Sequence, residues 1–150
     1  MLHYLYNNNY VNDTKFPVEA TKYIKENYDI NNIKIYNEYF YGSYLLFNDI
    51  KVFIDSRADL YLKEFNDTSV FEDAMYIDIN MKDLLDKYDI NLVIASNKGK
   101  NHELIELNNK FKNVYKDDYF SIYERSQAKT RMKHFGFHLM KYMINYHMIA

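Results

Sequence analysis

The residues with the clearest chemical potential lie in one short loop, where Asp55, Arg57 and Asp59 follow the apolar run Val52–Ile54. In α/β proteins, ligands bind where the chain leaves the carboxyl end of a strand. Two carboxylates beside a guanidinium can hold a sugar, a phosphate or a divalent ion. The same charges can instead pair with one another, with Arg57 bridging both aspartates or capping a turn. Because such ion pairs are common, the pattern favours the structural role over ligand binding.

Two tyrosines, Tyr41 and Tyr44, complete the set of candidate ligand-binding residues. Together with Tyr39 they can form an aromatic platform for a sugar beside the charged loop. The alternative is that they are half-buried core residues. Since the chain contains 17 tyrosines, a single tyrosine carries little functional weight, and the core role is favoured.

The glycine and cysteine contents exclude several kinds of site. The chain has three glycines, Gly42, Gly99 and Gly136. Dinucleotide-binding loops and Walker phosphate loops both need several glycines within a few residues, so neither is present. The absence of cysteine excludes disulfides, thiolate metal sites and a cysteine nucleophile. We therefore predict no cofactor.

Two further patterns are weaker indications of chemistry. His134 and His138 are four residues apart and would share a helical face, as metal ligands do, but no third ligand is near. We expect these histidines to be exposed or stacked. Ser56 follows a predicted strand but lacks the glycines of a nucleophile elbow. The sequence therefore predicts no metal site and no catalytic residue.

Composition indicates a folded chain that needs no membrane span. Its 150 residues are 48% hydrophobic and 18% aromatic, unlike a disordered protein. The net charge of −2 argues against a dedicated nucleic-acid binder. No apolar run reaches the roughly 18 residues that a membrane span requires. We expect the chain as given to be soluble.

The pattern along the chain alternates helices with strands. Helices are predicted from Pro17 to Tyr28, over 41–48, 70–76 and 81–88, and from a cap at Asn101. Strands are predicted over 33–36, 52–54 and 92–95, with a hairpin of 114–115 and 119–123 that turns at Asp117-Asp118. This alternation predicts a single three-layer α/β domain over 16–125, with a mainly parallel sheet and a closing antiparallel hairpin. Residues 1–15 are predicted to be a lead-in.

The final segment, 126–150, differs in charge from the rest. It carries four basic residues and no acid, so it is +4, whereas the preceding residues are −6. Apolar side chains recur on one face of a helix over 127–149, namely Met132, Phe135, Leu139, Met140, Met143 and Ile144. We predict a separate basic amphipathic helix that packs on the domain or mediates self-association, in preference to lying on a membrane.

Several short patterns resemble one known family. They are the helix start at 17–24, the aromatic stretch 36–45, the segment 51–61 with its Val-Phe-Ile-Asp-x-Arg core, and the closing 122–125. The chain resembles the C-terminal soluble domain of polytopic, dolichyl-phosphate-mannose-protein mannosyltransferase-like membrane glycosyltransferases. The resemblance covers residues 16–125 and is most specific at 52–57.

The resemblance implies an accessory domain on the extracytoplasmic face of the cell membrane, attached to a membrane-embedded portion of the same protein. In such enzymes, acidic loops between the membrane helices transfer sugar from a lipid-linked donor. The domain itself is then implied to contribute structure or acceptor binding. A looser similarity to oligosaccharyltransferases does not extend to peptide recognition, because the stretch 39–42 lacks the aspartate of their motif.

The residues alone leave an alternative open. The chain can equally be a self-contained soluble α/β module that binds a partner protein or a small ligand and forms a homo-oligomer through 127–149. Neither interpretation includes nucleic acid as a partner.

Overall fold

The described part of the chain forms a mixed β-sheet flanked by helices. A computed structural model describes residues 11–66 and 68–126. Its strands, in the spatial order β1-β2-β4-β3, are β1 (Ile35–Tyr36), β2 (Leu92–Ser96), β3 (Phe111–Lys116) and β4 (Phe120–Arg125). β1 and β2 are parallel, whereas the β2–β4 and β4–β3 pairs are antiparallel. The α/β class is confirmed, but the prediction of a mainly parallel sheet is wrong.

The helices lie close to the predicted positions. They are α1 (Val18–Asn27), α2 (Tyr39–Phe47), α3 (Val70–Met75), α4 (Ile77–Lys87) and α5 (Lys100–Glu106), with a 3-10 helix at Ala58–Tyr61. The start of α3 is capped by Ser69, whose hydroxyl accepts a hydrogen bond from the Glu72 N–H at 3.3 Å. Asn80 has non-helical angles (φ −136°, ψ 33°) and separates the predicted 81–88 helix from the turn before it.

Two helix starts differ from the sequence prediction. α2 begins at Tyr39, two residues before the predicted start at 41, so Gly42 lies inside the helix. α5 begins after Gly99, so Asn101 lies in its first turn and does not cap it. Glu38 therefore lies between β1 and α2, and Asn101 lies in the first turn of the helix that follows β2.

The closing hairpin is confirmed, and Asp117 fixes its turn. The Asp117 N–H donates to the Phe120 carbonyl at 2.9 Å. Its side-chain Oδ1 accepts from the N–H groups of Tyr119 and Phe120 at 2.8 and 2.7 Å. An aspartate that satisfies two backbone donors in this way is typical of tight turns. The hairpin supplies β3 and β4, and β4 then pairs with β2, which accounts for both antiparallel pairings.

The segment 52–54 is buried but is not a strand, although every residue of it is described. Phe53 and Ile54 are 9% and 1% exposed. Their backbone groups bond to a side chain instead of a neighbouring strand: Asn37 Oδ1 accepts from the Phe53 N–H at 2.9 Å, and Asn37 Nδ2 donates to the Ile54 carbonyl at 2.7 Å. The strand predicted over 52–54 is therefore wrong, because an apolar run shows that a segment is buried and not that it pairs with another strand.

Helix α2 packs directly on this segment, and the contact requires glycine. A Cβ placed on Gly42 would collide with the Ile54 carbonyl oxygen and lie 2.9 Å from the Asp55 Cα. Because Gly42 has no side chain, the backbone of α2 can lie directly against the backbone of Ile54 and Asp55.

Buried side chains form two clusters that contain alternate residues of the strands. Val93 and Tyr123 belong to the cluster under α3, α4 and α5. Ile94 and Ile122 belong to the cluster under α1 and α2. Because successive strand residues point to opposite faces, the two clusters lie on opposite sides of the sheet.

Two predicted segments fall outside this description. The lead-in over 1–15 is described only from residue 11 onward. The predicted helix over 127–149, with His134 and His138, lies outside the described residues and stays a prediction.

Phe53→Ala tests whether this irregular segment is part of the core. The Phe53 ring lies 5.3 Å from that of Tyr36 and 4.9 Å from that of Tyr88, measured between centroids. We expect the substitution to lower the free energy of unfolding by about 3–5 kcal/mol in denaturant titration. Phe47→Ala is the matched control, because Phe47 is 87% exposed, and it should change this energy by no more than about 0.5 kcal/mol. Equal effects of the two substitutions would contradict the packing.

Candidate functional site

The charged loop after residue 54 is closed by its own ion pair. Asp55 is fully buried, and both of its oxygens are bonded to Arg57. Oδ1 accepts from the Arg57 backbone N–H at 2.8 Å and from Nε at 3.0 Å. Oδ2 accepts from Nε at 3.1 Å and from Nη2 at 2.5 Å. This bidentate contact leaves the Asp55 carboxylate no open position for a ligand.

The pKa values in this loop agree with a locked pair. Hydrogen bonds from the Arg57 side chain hold the pKa of Asp55 below its usual value. The same contact raises the pKa of the Arg57 guanidinium. Asp59 is exposed, and within the described residues it forms no ion pair with Arg57. Arg57 therefore does not bridge two aspartates: its guanidinium and its own backbone N–H both donate to Asp55.

The two candidate tyrosines do not form a platform next to this loop. Tyr41 is 2% exposed, and its hydroxyl donates to the Ile94 carbonyl on β2 at 2.7 Å. Burial raises its pKa well above 10. Tyr44 is half-buried, with its ring 5.5 Å from that of Phe16. The structure brings Asp55 and Arg57 together but places Tyr41 and Tyr44 in or beside the core.

A cavity of about 340 Å³ opens at the carboxyl ends of the parallel strands β1 and β2, and none of these five candidates lines it. We call it the edge groove. Its polar lining consists of Tyr36, Glu38, Lys100 and Asn101, and its apolar lining includes Tyr39, Phe40, Ile54 and Met75. The chain leaves β1 into α2 and leaves β2 into α5 at this same edge, which is where open α/β sheets bind ligands.

Glu38 is the chemically distinctive residue of the edge groove. Burial raises the pKa of its carboxyl, and hydrogen bonds with the Asn101 side chain and the Ser96 backbone partly offset this effect. Gly99 leaves room for the approach, because a Cβ there would lie 2.9 Å from Glu38 Oε1. Asn101 Nδ2 also donates to the Tyr36 hydroxyl at 3.3 Å. A carboxylate, an amide and a phenol thus meet in one cavity.

Aromatic and thioether side chains form the rim of the edge groove. Phe40 is 87% exposed and Met75 is 47% exposed. The Tyr39 ring lies 5.9 Å from that of Phe40 and 6.4 Å from that of Phe71, edge to face in both cases. Polar groups beside exposed apolar surface are typical of small-molecule sites.

A second polar cluster joins α5 to β4. His102 Nδ1 lies 2.8 Å from the Tyr123 hydroxyl, which also contacts Glu106 Oε1 at 3.3 Å. Burial, and then the charge of Glu106, raise the pKa of Tyr123 to about 12. The phenol therefore stays protonated at neutral pH and acts as a hydrogen-bond donor. His102 and Tyr123 are both buried, so we assign this cluster to the core.

Comparison of the chain with protein-family models, with curated proteins and with solved structures gives no match. Among the described residues, no group of histidine, aspartate and glutamate side chains is placed to hold a metal ion. No helix within 11–66 and 68–126 has the length and apolar character needed to cross a membrane.

Sequence reasoning missed Glu38 and Asn101, although one signal pointed to them. Both follow predicted strands, and the rule that ligands bind at strand ends applies to them as it does to Asp55. The segment 52–54 that precedes Asp55 is not a strand, whereas the strand predicted over 33–36 ends two residues before Glu38.

Arg57→Ala tests the structural role of the charged loop. It should lower Tm near neutral pH, because it leaves the buried Asp55 carboxylate without its cation. Since the folded-state pKa of Asp55 is lowered, the pair stabilises the fold above the ordinary pKa and loses this effect as the pH falls through the lowered value. The difference in Tm between wild type and variant should therefore shrink toward about pH 3.

Lys34→Ala is the control for this measurement. It breaks the Lys34–Asp89 ion pair, which is 3.0 Å long but lies between side chains that are 59% and 80% exposed. Such a pair contributes little, so Tm should change little at any pH. An Arg57→Ala variant that melts like this control would contradict the structural assignment.

Proposed function

We propose that this chain is a three-layer α/β domain that binds the acceptor or the lipid-linked sugar for a membrane glycosyltransferase-like protein, without catalysing the transfer. It acts on the extracytoplasmic face of the cell membrane, beside the membrane-embedded portion of the same protein. The observation that carries the proposal is the edge groove, in which the half-buried Glu38 carboxylate stands beside the exposed Phe40 ring. The resemblance of residues 16–125 to such domains supplies the biological setting.

The small number of carboxylates in this region supports binding without catalysis. Among the described side chains, Glu38 is the one carboxylate that lines the edge groove. Enzymes that break or form glycosidic bonds commonly use two carboxylates on either side of the bond. Asp55, the nearest acid along the following segment, is held by Arg57. A single acid with an amide and a phenol is suited to hydrogen-bonding a ligand.

A transfer assay tests this proposal. The 150-residue chain, incubated with dolichyl-phosphate-linked mannose and a glycoside acceptor, should release no product. In a protein that carries the membrane-embedded portion as well, Glu38→Gln should raise KM for the acceptor by roughly tenfold and leave kcat nearly unchanged, because it removes binding that is equal in ground and transition states.

Phe47→Ala is the control in the same assay, because Phe47 is on the same helix but does not line the edge groove. Product formation by the 150-residue chain alone would contradict an accessory role. A Glu38→Gln variant that loses kcat at unchanged KM would do the same, since it would place Glu38 in the chemistry.

A second candidate function is a self-contained module that binds a protein partner or a second copy. The observation that favours it is the exposure of Phe40 and Phe47, each 87%, on one helix. Exposed apolar surface of this kind is typical of interaction sites. Concentration-dependent sedimentation of the whole chain, abolished by Phe47→Ala, would favour this candidate over the first.

A further inference from the structure

The same tripeptide, Asn-Asp-Thr, occurs twice in the chain, at 12–14 and at 66–68. An asparagine followed by any residue except proline and then by threonine is the acceptor pattern for N-glycosylation, which attaches a glycan to the asparagine side chain. In a chain rich in asparagine so short a pattern also arises by chance. Because the two copies are identical in sequence, only their surroundings can distinguish them.

The first copy presents both of its functional groups together at the surface. Residues 11–15 are all exposed, in the segment that precedes α1. Asn12 Oδ1 accepts from the Thr14 N–H at 2.9 Å and from the Thr14 hydroxyl at 2.6 Å, which is an Asx turn. Within the described part of the chain, no group bonds to Asn12 Nδ2, which is the nitrogen that carries the glycan after modification.

The backbone around the first copy is bonded locally. The Asn12 carbonyl accepts from the N–H groups of Lys15 and Phe16 at 3.0 and 2.9 Å. Residues 11–15 belong to no helix or strand. A modifying enzyme can therefore draw this segment into its own site without breaking the sheet or a helix of the domain.

The second copy has the same residues but holds them apart. Asn66 Nδ2 donates to the Leu60 carbonyl at 2.6 Å and to the Leu62 carbonyl at 3.2 Å. The Thr68 hydroxyl lies 3.3 Å from the Tyr88 hydroxyl instead of bonding to Asn66. Attachment of a sugar replaces one of the two hydrogens on the amide nitrogen. At Asn66 it would therefore disrupt bonds that hold the loop to its own backbone.

From this contrast we infer that Asn12, and not Asn66, is an acceptor site for an N-linked glycan. The donor is an oligosaccharide joined through phosphate to a lipid, and the catalyst is a separate oligosaccharyltransferase. A bond forms between Asn12 Nδ2 and C1 of the first sugar, while the bond from C1 to the phosphate oxygen breaks. The bonding electron pair leaves with that oxygen, and the amide proton passes to a base of the transferase. The inference goes beyond the proposed function and rests on it only for the extracytoplasmic placement of the chain.

Glycan transfer to the purified 150-residue chain tests the inference. The chain is incubated with a single-subunit oligosaccharyltransferase and its lipid-linked oligosaccharide, and the product is analysed by intact mass and by mass mapping of proteolytic peptides. We expect one glycan, on the peptide that contains Asn12. The Asn66 peptide should carry roughly tenfold less, because modification there costs a hydrogen bond. A short Asn-x-Thr reporter peptide in the same reaction shows that the transferase is active.

Substitutions assign the modification to the first copy. Asn12→Gln and Thr14→Ala should both abolish it, whereas Thr14→Ser keeps the hydroxyl and should remain modified. Asn66→Gln is the matched control and should be modified like the wild type. Asn12 and Thr14 are exposed, so their variants should keep the Tm of the wild type, which excludes unfolding as the cause of a loss.

Two results would overturn the inference. Equal modification of Asn12 and Asn66 would mean that the bonds around the two copies do not decide between them. Modification of the reporter peptide with none on the chain would mean that Asn12 is not an acceptor. Neither result affects the proposed function, because the reaction uses the purified chain and does not depend on where the chain resides. The KM effect of Glu38→Gln decides the proposed function, and its absence would leave the result at Asn12 unchanged.

Discussion

The Asn37 carboxamide occupies the place that a neighbouring strand would have taken beside Phe53 and Ile54. Both of these residues are buried, and an unbonded backbone group at such a position costs about 1–3 kcal/mol. Asn37 is itself fully buried and bonds the N–H of one residue and the carbonyl of the next. Its third bond, from Nδ2 to the Glu38 carbonyl at 3.0 Å, ties the same amide to the turn after β1.

The closed loop and the edge groove both depend on this contact. Once the Ile54 carbonyl is fixed, α2 can approach it through Gly42, and Asp55 follows at the point where Arg57 closes the loop. Ile54 also lines the edge groove, and Glu38 is the next residue after Asn37. One side chain thus fixes the backbone on two sides of the groove, at Glu38 and at Ile54, and the Asp55–Arg57 pair closes the adjoining loop.

The helices, β2 and the closing hairpin could be predicted because their signals are local. Apolar spacing, the Ser69 cap and the Asp117 turn each determine structure within a few residues. The conformation of 52–54 could not be predicted, because an apolar run shows that a segment is buried but not which groups bond to its backbone. Asn37 gave no usable signal in a chain rich in asparagine, and Glu38 resembles any surface acid until the fold buries it. In the charged loop, Arg57 pairs with Asp55 alone among its two neighbouring aspartates, whereas the sequence pattern allowed it to bridge both.

Amide hydrogen exchange at Phe53 tests this account most directly. Phe53 is outside every strand and helix, so an amide without a specific partner would exchange quickly. If the Asn37 carboxamide holds it, the Phe53 N–H should be protected to nearly the same degree as the amides of β2, and Asn37→Ala should remove that protection. Rapid exchange of the Phe53 amide in the wild-type chain would contradict the account.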